Sequence, residues 1–73
     1  MKKVMDVKSE SYQITGELLI DEEDIYYIRF ILNDKEHLVK GYNKKYVDER
    51  FLPDYAWMSL EEAYEDIILS GVE

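Results

Sequence analysis

Seventy-three residues make one domain near the lower limit at which a chain buries enough surface to fold unaided, and with no cysteine neither a disulfide nor a zinc–thiolate site can supplement the core. A content of 47% hydrophobic and 14% aromatic residues suffices for a packed core and excludes the composition of a disordered chain. The formal net charge of −8 argues against nucleic acid or an anionic membrane as a direct partner and favours a basic one.

Residues 11–20 alternate in polarity, with Tyr12, Ile14, Leu18 and Ile20 on one face and Ser11, Gln13, Thr15 and Glu17 on the other. That period of two predicts a half-buried strand. Gly16 sits on the apolar face, where it signals a bulge or a close approach by another element. Residues 21–24, four acids in succession, form a polar break suited to a hairpin loop. The run Ile25–Leu32 is rich in β-branched and aromatic residues, and Arg29 alone interrupts its two apolar faces. This pattern predicts a strand in the middle of the sheet, covered on both sides. Asn33-Asp34-Lys35 is turn chemistry, because Asn and Asp tolerate positive φ. Residues 36–42 then read as a third strand carrying Leu38, Val39 and Tyr42, with Gly41 at its end or at a bulge.

The segment that follows admits more than one reading. Asn43 can cap a short helix in which Val47 and Phe51 share a face and which Pro53 ends. An irregular crossover or a short extra strand over 44–51 fits equally. The last element is clearer. Ser59 and Glu62 match a capping box, with Met58 and Ala63 at the staple positions. Leu60, Ala63, Tyr64, Ile67 and Ile68 recur at helical spacing, while Glu61, Glu62, Glu65 and Asp66 face outward. Gly71 stands where a terminal glycine cap belongs. The expected architecture is a single α+β domain, 1–73: a three-stranded antiparallel meander with a C-terminal helix across one face.

Little in the sequence supports catalysis. His37 is the only histidine and falls in a strand, without a second histidine or a cysteine to complete a metal site or a nucleophile pair. The glycines are isolated, so no phosphate-cradling loop is formed, and the four serines lie outside any nucleophile-elbow pattern. Residues 21–24 lack the ligand spacing and central glycine of a calcium loop and read as a solvated hairpin tip. No catalytic residue, metal or cofactor is expected. The longest apolar run is too short to span a bilayer, and no apolar stretch of signal-peptide length follows Lys2-Lys3. A cytoplasmic setting without membrane contact is the simplest expectation.

Two features read as binding equipment. The first is residues 51–58, Phe-Leu-Pro-Asp-Tyr-Ala-Trp-Met, in which Tyr55 and Trp57 have the size and rigidity of interface anchors. The alternative is that this segment folds over the second face of the sheet and covers Leu19, Ile25, Tyr27 and Ile31. That reading is preferred, because the face needs a cover; a homodimer is the other way to supply one. The second feature is the placement of charge. Residues 1–45 hold nine acids and eight bases, whereas residues 46–73 hold eight acids and Arg50 alone, so −7 of the −8 lies in the last third. Asp48, Glu49 and Asp54 precede the helix, and Glu61, Glu62, Glu65 and Asp66 lie on it. Carboxylates spaced along a rigid element can imitate the phosphates of a duplex.

The hairpin Ile25-Tyr26-Tyr27-Ile28-Arg29-Phe30-Ile31-Leu32-Asn33-Asp34 with its return strand, followed by the acidic Glu61-Glu62-Ala63-Tyr64-Glu65-Asp66, resembles the layout of small acidic phage-encoded inhibitors. It is similar in particular to that of the anti-CRISPR proteins that occupy the DNA-binding surface of their target nuclease. The resemblance implies a stoichiometric, non-enzymatic inhibitor that mimics DNA toward a basic partner. Asp24-Ile25-Tyr26-Tyr27-Ile28 with Ser59-Leu60-Glu61-Glu62-Ala63 is similar to segments of antitoxins from toxin–antitoxin pairs. A structural or assembly module that associates through the apolar sheet face is the expectation from a different class.

Overall fold

The computed structural model describes residues 1–70, which have the α+β architecture expected from the sequence: a four-stranded antiparallel sheet followed by one long helix. The strands are β1 (Lys2–Ser9), β2 (Ile14–Ile20), β3 (Ile25–Leu32) and β4 (Lys35–Asn43), in spatial order β1-β2-β3-β4. Two single 3-10 turns, Lys44–Tyr46 and Glu49–Phe51, lead into helix α1 (Leu52–Ser70). The extra element expected over 44–51 is thus this pair of turns, capped by the side chains of Asn43 and Asp48.

The strand count of three is corrected to four. β1 pairs with β2 along its length, and residues 11–13 belong to the turn between them rather than to a strand. Tight turns connect the remaining strands. Asn33 and Asp34 both take positive φ, 55° and 64°, the geometry of a two-residue hairpin matched to strand twist. At the preceding hairpin, Asp21 Oδ1 accepts the amides of Glu23 and Ile25 at 2.8 and 3.0 Å, and Asp24 has φ 64°. The acidic run 21–24 is therefore a hairpin tip organised by its first member.

Each edge strand is bulged. Val4 is the extra residue of β1, between the pairs Lys3–Leu19 and Met5–Leu18. Gly41 and Tyr42 of β4 together face Tyr26, between the pairs Ile25–Asn43 and Tyr27–Lys40. Of the two readings of Gly41, strand end or bulge, the structure has the bulge, and β4 continues to Asn43. Gly16 marks a close approach: a Cβ there would stand 2.6 Å from the Arg29 carbonyl oxygen and 3.3 Å from Leu60 Cδ1.

Helix α1 lies across β1 and β3. Val7, Leu18, Tyr26, Ile28 and Phe30 from the sheet pack on Ala56, Leu60 and Ala63 from the helix. The two alanines let the helix backbone come close, and Leu60 fills the space beside Gly16. At 1.5 Å per residue, 19 residues extend about 28 Å, most of the molecule's 32 Å long axis.

The helix begins seven residues before the expected cap at Ser59. Pro53 opens it rather than ending the previous segment, because the first-turn amides have no helical partner and a missing N–H costs nothing there. Ser59 is an interior, half-buried residue of α1, and Met58 and Ile68 point outward. The cap expected at Gly71 lies outside the described residues.

One further expectation is overturned. β3 is an inner strand, but only one of its faces is covered. Residues 51–58 do not cross to the second face, because from Leu52 onward they are the first turns of α1 on the core side. Ile31 is consequently 66% exposed. No helix among the described residues is long and apolar enough to cross a membrane.

Candidate binding face of the terminal helix

Helix α1 carries five charges, Asp54, Glu61, Glu62, Glu65 and Asp66, and not one base. Its inner surface is set by Leu52, Tyr55, Ala56, Leu60, Ala63, Tyr64 and Ile67, which pack on the sheet. The 3.6-residue repeat then sends Asp54, Glu61 and Glu65 down one outward strip, with Met58 among them. Glu62 and Asp66 form the next strip round, and Trp57 and Ile68 flank the other side. Trp57, Met58, Ile68 and Leu69 are all exposed, Trp57 at 40% and Leu69 at 82%. The outward face is therefore acidic and apolar at once.

Several of these side chains are held in place. The buried Ser9 hydroxyl donates to Glu61 Oε2 at 2.8 Å, and Tyr12 donates its phenol to Glu65. The Tyr12 ring packs on Tyr64 with centroids 4.8 Å apart, so the β1–β2 turn braces the middle of the helix. The hydrogen bond to Glu65, with burial second, raises the Tyr12 pKa. Near the helix start Trp57 Nε1 donates to Asp54 Oδ1 at 3.2 Å. Glu62 and Asp66 are exposed and spend no carboxylate oxygen on a neighbouring side chain.

The other residues singled out from the sequence sit elsewhere. Asp48 caps the turn Glu49–Phe51 and accepts from the Arg50 guanidinium at 2.9 and 3.2 Å, which holds its carboxyl below the usual range. Glu49, in the same turn, is exposed. Tyr55 lies on the inner side of α1 between Tyr26 and Tyr42, and its phenol oxygen accepts the Tyr42 amide at 3.0 Å. Asp54, Trp57, Glu61, Glu62, Glu65 and Asp66 therefore share one face, while Tyr55 is part of the packing beneath it. Ser9 and Tyr12, which fix that face, carry no sequence signal for the role, because their partners lie more than fifty positions away.

His37 stacks on Phe30 with ring centroids 5.4 Å apart. Among the described residues no group of three or more His, Cys, Asp or Glu side chains is placed to hold a metal ion. A shallow, open depression lies on the uncovered sheet face, lined in part by Lys8, Thr15, Glu17, Arg29, Ile31 and Glu36. Arg29 pairs with Glu17 and so lowers its carboxyl pKa, and Lys3 bridges Asp6 and Glu17 at 2.7 and 3.6 Å.

Comparison of the chain with models of protein families, with curated proteins and with solved structures finds no match.

Proposed function

We propose that this chain is a non-enzymatic, stoichiometric inhibitor of the cytoplasm, which presents the outward face of α1 to a basic, nucleic-acid-binding protein. The observation that supports it is a helix with five acids, no base and four exposed apolar side chains among the acids. From Glu61 to Asp66 four carboxylates fall within about 7.5 Å of helix axis. That linear density is close to the one charge per about 1.7 Å along a duplex. Trp57 and Met58 beside the acids add the apolar anchor that electrostatic steering alone lacks. Such a surface suits occlusion of a DNA- or RNA-binding groove, in the manner of anti-defence inhibitors that mimic DNA.

The arrangement also has a stability cost. Glu61–Glu65 and Glu62–Asp66 are like-charge pairs one turn apart, each unfavourable by about 0.2–0.5 kcal/mol. Interspersed lysines would give solubility without that repulsion, so the unbroken acidity supports a role in recognition.

The test is capture of the partner from the native host with nuclease-treated lysate, then titration of the purified pair. Glu62→Lys with Asp66→Lys leaves every side-chain hydrogen bond described above intact. It should weaken binding by about tenfold or more, and rising salt should weaken the wild-type complex likewise. Unchanged affinity in that double variant would sink the proposal. The uncovered sheet face, with Ile31 exposed, favours a second reading as an assembly module.

A further inference from the structure

We infer that the uncovered face of the sheet is a self-complementary surface on which a second copy of this chain packs about a two-fold axis. Five apolar side chains interrupt the polar exterior usual for a sheet covered on one side. The strand register places Leu19, Ile25, Tyr27, Ile31 and Leu38 on it, together with Lys3, Asp6, Lys8, Thr15, Glu17, Arg29, Glu36 and Lys40. Ile31 and Leu38 are exposed, Ile25 and Tyr27 half-buried, and Leu19 is buried among its neighbours.

The charges on this face choose the occupant. Read across the strands, one row runs Asp6, Glu17, Arg29, Leu38 and the next runs Lys8, Thr15, Ile31, Glu36. A two-fold axis parallel to the strands, passing between β2 and β3, lays each row on its own reverse. Glu17 then meets Arg29 of the second copy, and Arg29 meets Glu17, so the existing Glu17–Arg29 pair becomes an alternating square of four charges. Lys8 meets Glu36 of the second copy at both edges, and Ile31 meets Thr15. In the third row the half-buried Tyr27 falls over the position of the buried Leu19. Lys3 falls opposite Lys40 there and Asp6 opposite Leu38 in the first row, and these contacts are accommodated because Lys3 and Asp6 are already paired with each other on their own chain. Aligned sheets incline by about 30°, which the long side chains of Lys8 and Glu36 can follow.

An unrelated partner would have to supply this alternation; a second copy has it by symmetry, since an isologous contact pairs each residue i with j and j with i. Four strands about 4.8 Å apart and eight residues long give a footprint of about 500 Å² per chain. That is the low end for specific interfaces, so the dimer should be reversible, with a micromolar dissociation constant. Its two acidic helices would point away from each other, each free to bind.

Sedimentation equilibrium or light scattering on the full chain, from about 10 μM to 1 mM, tests this without any other protein. The expected result is a concentration-dependent shift to twice the 8.8 kDa chain mass. Ile31→Lys should abolish it. Lys8→Glu and Glu36→Lys should each weaken it by about tenfold, and the two together should restore it, because the swapped charges again meet as opposites. A mass that stays monomeric throughout, association indifferent to Ile31→Lys, or a double swap no better than the single ones overturns the inference. Glu62→Lys with Asp66→Lys should leave the dimer unchanged, so failure here is separable from failure of the helix-face reading.

Discussion

Ser9, the last residue of β1, donates its hydroxyl to Oε2 of Glu61, 52 positions along the chain, at 2.8 Å. Ser9 Oγ in turn accepts the Tyr12 amide at 3.3 Å, so one buried hydroxyl ties the β1–β2 turn to the middle of the helix. Ser9→Ala removes the donor to a carboxylate and orphans an amide. It should cost about 1–2 kcal/mol in urea denaturation. Glu61→Gln keeps an acceptor oxygen and should cost less; an order reversed between the two would mean that Ser9 acts through packing alone.

Gly41 and Tyr55 form a second interlock. A Cβ on Gly41 would run into the Tyr55 hydroxyl, which at that point accepts the Tyr42 amide beside the β4 bulge. Gly41→Ala should therefore destabilise the fold by about 1–3 kcal/mol. Tyr55→Phe, which loses only the hydrogen bond, should cost about 1 kcal/mol. Because the clash is with a removable oxygen, Gly41→Ala should cost less in the Tyr55→Phe background. Additive losses in this double-mutant cycle would contradict the contact.

Alkaline titration should report the brace at Tyr12. The hydrogen bond to Glu65 favours the neutral phenol in the folded state and raises its pKa. The stability it contributes is fully present below the unfolded tyrosine pKa of about 10 and is lost as pH rises through the folded value. Ring NMR of Tyr12 should show ionisation above the ordinary value, and Glu65→Gln should lower it. No change in that variant would place the cause elsewhere.

Reversing the free acids of α1 should stabilise the chain while it weakens partner binding. Taken singly, Glu62→Lys and Asp66→Lys each turn the repulsive Glu62–Asp66 contact into an attractive one, with the favoured order in Asp66→Lys, where the glutamate precedes the lysine. A gain of about 0.3–1 kcal/mol is expected for either single variant in thermal or urea unfolding, larger at low salt, and it should shrink in the double variant, where two lysines face each other. A loss of stability would show that these carboxylates serve the fold.

The parts of the fold that were legible in the sequence are those whose cause is local. The alternation over β2, the turn residues Asn33-Asp34 and the 3.6-residue repeat of Leu60, Ala63 and Ile67 each declare themselves within a few positions. β1 did not, because an edge strand needs lysines and because the bulge at Val4 breaks the period of two. Only Met5 and Val7 remain to mark its inner face. The helix start was misplaced because Pro53 and the Ser59/Glu62 pair are each ambiguous: proline both ends and opens helices, and a capping-box pattern arises by chance inside one. The acidity of the helix could be read directly, whereas Tyr55 facing inward and Trp57 facing outward depended on where the helix began.

The bulges in β1 and β4 have an effect beyond local geometry. A sheet extends sideways when an incoming strand finds an unbroken ladder of amides and carbonyls along a flat edge. At Val4 on one edge and Gly41–Tyr42 on the other the ladder is interrupted, and both edges carry lysines. Among the described residues, nearly half of which are in strands, both sheet edges thus carry features that oppose strand addition. The two-fold contact proposed for the sheet face uses neither edge, and such a contact closes on itself after one partner.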